Sequence, residues 1–445
     1  MLSLALAVGL ALVTAIPALA DTGWLELQTE HFTFIYRPGD GAAAVAELIP
    51  MADGIYDRVR GRFGYDVPPA TVIVYDQTDF ANGYYFLAPP QHIGLFTVEP
   101  WVQFLGADGA SWLEMLLVHE LTHYFQYNTP AGLAYQAGRL AGSALGPFHH
   151  LLASSWTVEG NAVNNESDLT DGGRLQDPWF LADYRAQLYA DAVPGLFQLG
   201  YDSHLPPRGR YYLGGAVFMD HLMQEHGEAV LGDFHVRFAR FPLGGVWLPL
   251  RASIGRPLRA AYTEMLSADA RAFGLEGAGP RADRLTPARV GTWSRPRTTS
   301  SGVYVYRRSV DRAPGIVRID PRTGSEDLVW AVTLTHPDAW SVSADGSRIV
   351  AGIATVQGSG VGLDAGERAA LVLWERTSGR ARTLVADDMW SPAISPDGRE
   401  VAAVRREAGN TQALVRFPVD SPEAAVIIGA APGMTFFDPV YAPDR

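Results

Sequence analysis

The sequence predicts an α+β chain, in which a small N-terminal sheet and a helical part are followed by an all-β part. Three observations support this prediction. Alternating, β-rich segments occupy roughly the first 100 residues, apolar residues at helical spacing run from Ser111 to about residue 268, and short β-rich runs between turns follow Trp293. With 445 residues, the chain is long enough for two or three domains.

Composition excludes several classes of protein. Hydrophobic residues make up 47% and charged residues 19%, which predicts packed cores rather than disorder. The net charge is −13, and all basic residues are arginines without a long basic run, so nucleic acid is excluded as a partner. The chain has no cysteine, which excludes disulfides, thiolate nucleophiles and cysteine-bound zinc.

The first twenty residues predict export. Residues 2–16 are almost continuously apolar, and Pro17 then precedes Ala18-Leu19-Ala20, an A-x-A cleavage pattern. We interpret residues 1–20 as a signal peptide, which predicts a periplasmic or extracellular protein. The alternative is an uncleaved N-terminal anchor, because no lysine or arginine precedes the apolar run. No later segment is apolar enough for a membrane span, so we expect no stable span after cleavage.

Residues 21–268 are predicted to form one α+β domain. Strands are expected at residues 24–36, 71–75 and 91–98, with a helix at 41–63 that lies across the small sheet. After Ser111, Trp112, Met115, Leu116, His119, His123 and Gln126 recur at spacings of three or four positions. This spacing predicts a helix that extends to Gln126. Further helices are expected at 156–167, 177–191, 209–226, 228–239 and 256–268.

The last part of the chain contains a repeat. Residues 269–292 are rich in Gly, Pro and Arg and are predicted to be a linker, and residues 293–445 follow as a β-rich segment. Asp345-Gly346 and Asp397-Gly398 are flanked by similar sequences. A period of about 45 to 50 residues with an Asp-Gly hairpin predicts four-stranded propeller blades, with Trp340 and Trp390 packed between them.

The repeat region is too short for a closed propeller. It holds about three blade periods, whereas a closed propeller needs at least four blades, so we expect an incomplete propeller. Pro443-Asp444 stands where a further hairpin would begin, which predicts that the native protein continues with more blades. The alternatives are closure by a second chain or an open stack of sheets packed on the preceding domain.

The predicted helix after Ser111 carries the motif His119-Glu120-Leu-Thr-His123, an HExxH pattern. A spacing of four residues places both histidines on one face, one turn apart, so that both imidazoles can reach one metal ion. Glu120 adjoins the first ligand and can take a proton from a metal-bound water. The motif therefore predicts a hydrolytic zinc site.

A zinc site of this kind needs a third ligand. The metzincin extension is absent, because Gln126 and Thr129 stand where it requires Gly and His. Glu159, in the later segment Trp156-Thr-Val-Glu-Gly, is the predicted ligand, and Glu166, on nearly the same helix face, is the alternative. The adjacent pair His149-His150 is a weaker candidate, since neighbouring side chains diverge.

The two segments HELTHYFQ and WTVEGNAVNNE resemble the zinc segments of the gluzincins, the peptidase MA-like group to which thermolysin is distantly related. Residues 79–84 and 93–96 resemble the strand beside the cleft of that group, and the Asp-Gly repeats resemble TolB-like propellers. The resemblance implies a thermolysin-like metallopeptidase domain followed by an incomplete all-β propeller. It also implies one Zn²⁺ per chain, bound by His119, His123 and Glu159, with Glu120 as the general base.

The resemblance also implies a donor for the developing oxyanion. The segment Arg210-Tyr211-Tyr212 opens a predicted helix and is similar to the tyrosine-bearing segment of the group. Tyr212 is the first choice and Tyr211 the second; each could instead be a packing aromatic residue.

We therefore expect a zinc metalloendopeptidase that hydrolyses peptide bonds in exported or envelope proteins, in which a metal-bound water attacks and Glu120 acts as the base. Its substrate is a protein or peptide, and the propeller is a candidate surface for a protein partner. The alternative is a non-catalytic envelope scaffold that binds partners through the propeller. The intact Glu120 argues against that alternative, since a purely structural metal site has no need of a base.

Overall fold

The computed structural model describes residues 23–76, 81–88, 90–99, 111–141, 149–201, 209–275, 291–357, 366–386, 389–407, 412–430 and 436–442. The predicted signal peptide, Asp79 and Pro443-Asp444 lie outside these residues. The described part is a mixed α/β structure with one five-stranded sheet, a group of helices and three four-stranded sheets.

The N-terminal sheet has the strand order β1-β2-β3-β5-β4. Its strands are β1 (Leu25–Gln28), β2 (Phe32–Tyr36), β3 (Ala70–Tyr75), β4 (Gly83–Phe86) and β5 (His92–Phe96). The three central strands are parallel, and β1 and β4 are antiparallel edge strands. The prediction of one strand at residues 24–36 was wrong, because a turn at 29–31 divides it into a hairpin. Strand β4 overlaps residues 79–84, which resemble the strand beside the cleft, only at Gly83 and Tyr84.

Helix α1 (Asp40–Phe63) connects β2 to β3 and covers the sheet. Its apolar residues recur at helical spacing and pack on alternate residues of the strands, including Phe32, Phe34, Val72 and Val74. Pro50 lies inside the helix, but ten of its residues are nevertheless buried. The burial of this face fixes the sheet against the helices that follow.

Eight further helices follow in the described residues. They are α2 (Trp112–Tyr127), α3 (Gly132–Ala141), α4 (Ser155–Leu169), α5 (Pro178–Tyr189), α6 (Arg210–His226), α7 (Ala229–Arg240), α8 (Trp247–Ile254) and α9 (Leu258–Ala272). The six predicted helices lie within about two to four residues of these bounds. Helices α3 and α8 were not predicted. None of the helices in the described ranges is long and apolar enough to cross a bilayer.

Helices α4 and α6 cross at two glycines. A Cβ atom on Gly160 would lie 2.4 Å from the backbone carbon of Gly215, and one on Gly215 would lie 2.4 Å from the carbonyl oxygen of Trp156. Because neither glycine has a side chain, the two backbones approach more closely than they could across any larger residue. This crossing sets the distance of α6 from the residues of α4.

The β-rich part forms three antiparallel four-stranded sheets, each made of consecutive strands. They are β6 to β9 (Gly291–Thr299, Gly302–Ser309, Gly315–Ile319, Glu326–Ala331), β10 to β13 (Trp340–Val342, Arg348–Gln357, Gly366–Glu375, Arg380–Val385) and β14 to β17 (Met389–Ile394, Glu400–Arg406, Gln412–Pro418, Val426–Ala430). Both Asp-Gly turns lie in predicted hairpins, and each joins the first two strands of a sheet. The predicted linker, 269–292, is too long at both ends, because α9 extends to Ala272 and β6 begins at Gly291.

Tryptophans pack where neighbouring sheets meet. Trp340 of the second sheet is buried with Tyr304 and Tyr306 of the first. Trp390 of the third sheet is buried with Ala339 and with Ala369 of the second. The apolar cores of the three sheets are therefore continuous from one sheet to the next, which is how blades of a propeller pack.

Candidate metal centre

Helix α2 supplies two imidazoles. Ser111 caps its first turn by accepting a hydrogen bond from the backbone N–H of Glu114, and residues 112–126 are buried except for Glu114. A helix enclosed on every side holds its side chains in fixed positions. His119 and His123, four residues apart, have ring centroids 4.9 Å apart and rings nearly perpendicular.

Helix α4 places a carboxylate opposite these two rings. Oε2 of Glu159 lies 3.5 Å from Nε2 of His119 and 3.4 Å from Nε2 of His123. This oxygen is buried and, within the described part of the chain, accepts no hydrogen bond. A buried carboxylate oxygen without a donor is costly, so its position requires a positively charged partner.

The three side chains fit a zinc ion. Their ligand atoms all lie within 4.8 Å of one another, and they are the one His, Cys, Asp and Glu group of this kind among the described residues. Two imidazole nitrogens and one carboxylate oxygen form a usual donor set of catalytic zinc. Donor atoms bound to tetrahedral zinc lie about 3.4 Å apart, which agrees with the two nitrogen–oxygen separations.

Glu166 orients His119. Its Oε2 lies 2.7 Å from Nδ1 of His119, and because a carboxylate only accepts hydrogen bonds, Nδ1–H is the donor. Nε2 therefore keeps its lone pair on the side of Glu159. Arg174 binds the same carboxylate through Nε at 2.7 Å and Nη2 at 2.8 Å, which neutralises a charge that is otherwise fully buried.

An amide orients the second imidazole. Gln126 donates from Nε2 to the carbonyl oxygen of Val158 at 3.0 Å, so its Oε1 faces Nδ1 of His123 at 3.1 Å. Nδ1–H is then the donor and Nε2 is free to bind a metal. Since Val158 precedes Glu159, the same amide also links α2 to the residue before the third ligand.

The electrostatics of the cluster favour a cation. Burial lowers the pKa of His119, but the neighbouring carboxylates of Glu159 and Glu166 outweigh it and raise the pKa to about 9. Burial raises the pKa of Glu159, but the charges of His123 and His119 outweigh this effect and hold it well below its usual range. Both groups are thus stabilised in their charged forms, because each faces an opposite charge. A bound divalent cation would replace the protons on the imidazoles.

Glu120 lies beside the cluster and is buried. Burial raises the pKa of its carboxyl above the usual value. Gly83 of the edge strand β4 lies directly over it, since a Cβ atom there would be 2.9 Å from Oε1 of Glu120 and 2.6 Å from Cδ1 of Leu116. The strand can approach the carboxylate this closely only because residue 83 is glycine.

The two candidate tyrosines point to different surroundings. The charges of Glu159 and Glu120 both act on the hydroxyl of Tyr212, and burial raises the pKa of this hydroxyl, so it remains protonated. The guanidinium of Arg174 lies over the Tyr212 ring, 5.0 Å from its centroid. Tyr211 instead packs against the main hydrophobic core. The geometry therefore favours Tyr212 over Tyr211 as a side chain of this site.

The structure thus brings together His119, Glu120, His123, Glu159 and Tyr212. Glu166 contacts His119 rather than joining the cluster, and His149-His150 lies outside it, against Phe238 and His235. Sequence reasoning missed Arg174, Gln126 and Gly83. Gln126 could have been found from its three-residue spacing after His123, whereas Arg174 and Gly83 meet the site only through the tertiary fold.

Comparisons with known proteins do not identify an activity for this chain. No protein-family model matches the chain, and no curated protein matches it. Among solved structures, the β-propeller domain of the Trilobed protease from Pyrococcus furiosus matches at 17% identity over 32% of this chain and 43% of that one, with a TM-score of 0.22. TolB from Acinetobacter baumannii matches at 12% identity over 32% and 44%, with a TM-score of 0.19.

An acylaminoacyl peptidase matches at 14% identity over 31% of this chain and 24% of that one, with a TM-score of 0.22. This chain therefore spans less than half of each of these three structures. Likenesses at such TM-scores say nothing of its activity, and its function has to be inferred from its own residues.

Proposed function

We propose that this chain is a zinc-dependent peptidase of the gluzincin type, which hydrolyses peptide bonds in exported or envelope proteins. The observation that carries the proposal is the convergence of His119, His123 and Glu159 within 4.8 Å, with the buried carboxyl of Glu120 on the next residue of the same helix. A site that only holds a metal needs no such carboxyl beside it.

His119, His123 and Glu159 would hold the ion. When bound, zinc supplies a Lewis acid that polarises a carbonyl group and activates water. The other roles belong to the protein. Glu120, whose pKa is raised by burial, accepts a proton from the attacking water and returns it to the leaving amine. Tyr212 stays protonated and can donate a hydrogen bond to the oxyanion that forms at the scissile carbonyl.

Zinc content tests the ligand assignment. Purified wild type is expected to hold about one zinc per chain by elemental mass spectrometry. Glu159→Ala should lose most of it, whereas Glu120→Gln should retain it because Glu120 is not a ligand. Glu114→Gln is the matched control, since Glu114 lies on the same helix but pairs with Arg58 at the surface. Full zinc content in Glu159→Ala would remove Glu159 from the site.

Cleavage profiling tests the activity. A proteome digest exposed to zinc-loaded wild type should show new termini that are absent with Glu120→Gln and present with Glu114→Gln. If wild type and Glu120→Gln both bind zinc and neither cleaves peptides, the peptidase proposal is wrong. The non-catalytic scaffold, which uses the three four-stranded sheets to bind its partner, would then be preferred.

A further inference from the structure

A cavity of about 760 Å³, apart from the candidate metal centre, lies between α5, the start of α6 and the β-rich part. Among the described residues that line it are none of the three candidate zinc ligands. Its volume falls in the range of sites that enclose a small molecule or several side chains of a peptide.

One face of α5 forms a wall of this cavity. The residues that line it recur at helical spacing and are mainly aromatic: Trp179, Phe180, Asp183, Tyr184 and Gln187. Trp179 is 78% exposed, which is unusual for an indole. Asp183 lies one turn further along the same face, so a carboxylate stands next to an aromatic ring.

A second carboxylate lies where α5 begins. Asp177 is 3% exposed, and its Oδ1 accepts a hydrogen bond from the backbone N–H of Trp179. Its Oδ2 is buried and has no hydrogen-bond partner among the described residues. Burial raises the pKa of Asp177 and that of Asp183, so both carboxylates would gain from a nearby positive charge.

The opposite wall does not supply that charge. Arg295 forms an ion pair with Asp438 and lies 4.0 Å from Asp338, so acidic groups already surround it. Arg210 donates from Nε to the carbonyl oxygen of Tyr201. The lining thus contains more carboxylates than guanidinium groups, and those of α5 have no basic partner among the described residues.

We propose that this cavity binds an organic cation, an ammonium or guanidinium group carried on an apolar body. Asp177 and Asp183 hold the charge, and Trp179 and Phe180 pack against the apolar body. An aromatic ring beside a carboxylate suits such a group, because the ring face and the carboxylate both attract positive charge. The cation comes either from a basic side chain of a peptide or from a free amine.

The test is a fluorescence titration of the zinc-loaded full chain with p-aminobenzamidine. Asp183→Asn and Asp177→Asn should each weaken binding about tenfold or more, the usual effect of losing a charge-assisted hydrogen bond. Asparagine also caps helices, so Asp177→Asn should preserve the start of α5. Asp171→Asn, at an exposed position outside the cavity, is the matched control and should bind as wild type does.

Two further arms identify the site and the source. Glu159→Ala should bind p-aminobenzamidine as wild type does, which separates this site from the metal centre and from the proposed peptidase activity. N-acetyl-arginine amide is compared with its neutral citrulline analogue: tighter binding of the arginine compound assigns a peptide side chain, and binding of p-aminobenzamidine alone assigns a free small-molecule amine or amidine. Unchanged affinity in both aspartate variants, equal binding of the neutral 4-aminobenzamide, or loss of binding in Glu159→Ala would overturn the proposal.

Discussion

Replacing Gly160 by alanine should disturb the candidate metal centre through the helix crossing alone. The new Cβ atom would lie 2.4 Å from the backbone carbon of Gly215 and 2.7 Å from its oxygen. Both atoms belong to the backbone of α6 and cannot rotate away. To reach ordinary van der Waals contact, the two helices must separate by about 1 Å.

The expected change in the free energy of unfolding follows from two opposing effects. Overpacking of a close contact costs about 1 to 3 kcal/mol, and the better helix propensity of alanine offsets about 1 kcal/mol of that. Gly160→Ala should therefore lower the free energy of unfolding by up to about 2 kcal/mol. Since Glu159 is the preceding residue, the same shift should weaken zinc binding, and a displacement of 1 Å can lower kcat by about 10².

Gly61→Ala is the matched control. Gly61 also lies inside a helix, α1, but a Cβ atom there would meet nothing within 4 Å. The control should be stabilised by about 0.4 to 1 kcal/mol and should bind zinc as wild type does. The measurements are urea unfolding, zinc affinity by competition with a chelator, and kcat. If Gly160→Ala matches Gly61→Ala in all three, the close crossing does not position Glu159.

Three further predictions concern other side chains. Tyr212→Phe should lower kcat by about 10² or more with little change in KM, and a loss confined to thermal stability would make Tyr212 a packing residue. Glu166→Gln should weaken zinc affinity about 10- to 100-fold, because it replaces the charged carboxylate that faces His119 Nδ1 with a neutral amide and leaves the three proposed ligands in place; unchanged affinity in a chelator titration would contradict this. Burial lowers the pKa of His235 to about 3, so the unfolded chain binds a proton below about pH 6.5 that the folded chain does not. Stability should fall by about 1.4 kcal/mol per pH unit as pH drops from 6.5 toward 3, and urea unfolding at several pH values should show a smaller slope in His235→Gln than in wild type.

The sequence predicted the parts of the site that depend on local periodicity. His119, Glu120 and His123 follow from helical geometry, because four residues make about one turn. Glu159 was predicted from a sequence motif and not from its spacing. The 36-residue separation of His123 and Glu159 does not by itself require α2 and α4 to pack face to face. Their packing depends on polar bonds that sequence does not reveal, such as that from Asn165 to Thr122.

The remaining features could not be predicted, because they depend on long-range contacts. Arg174 reaches the site only because the chain turns back at Gly173, where φ is +108° and a Cβ atom would lie 2.6 Å from Cα of Ser167. Helix α3 has only ten residues, and two of them are glycines, which are poor helix formers; it packs against α7. Strand β4 has only four residues and becomes a strand by pairing with β5.

The candidate metal centre and the cavity beside α5 are formed by different parts of the chain. This division affects how the protein can evolve. Every described side chain assigned to the metal centre comes from the sheet and helices that precede β6, whereas the cavity also takes walls from the β-rich part. Mutation or recombination in the β-rich part can therefore remodel the cavity without touching a proposed zinc ligand. The ligand preference of the cavity can then diversify among descendants of this chain while the candidate metal centre is inherited unchanged.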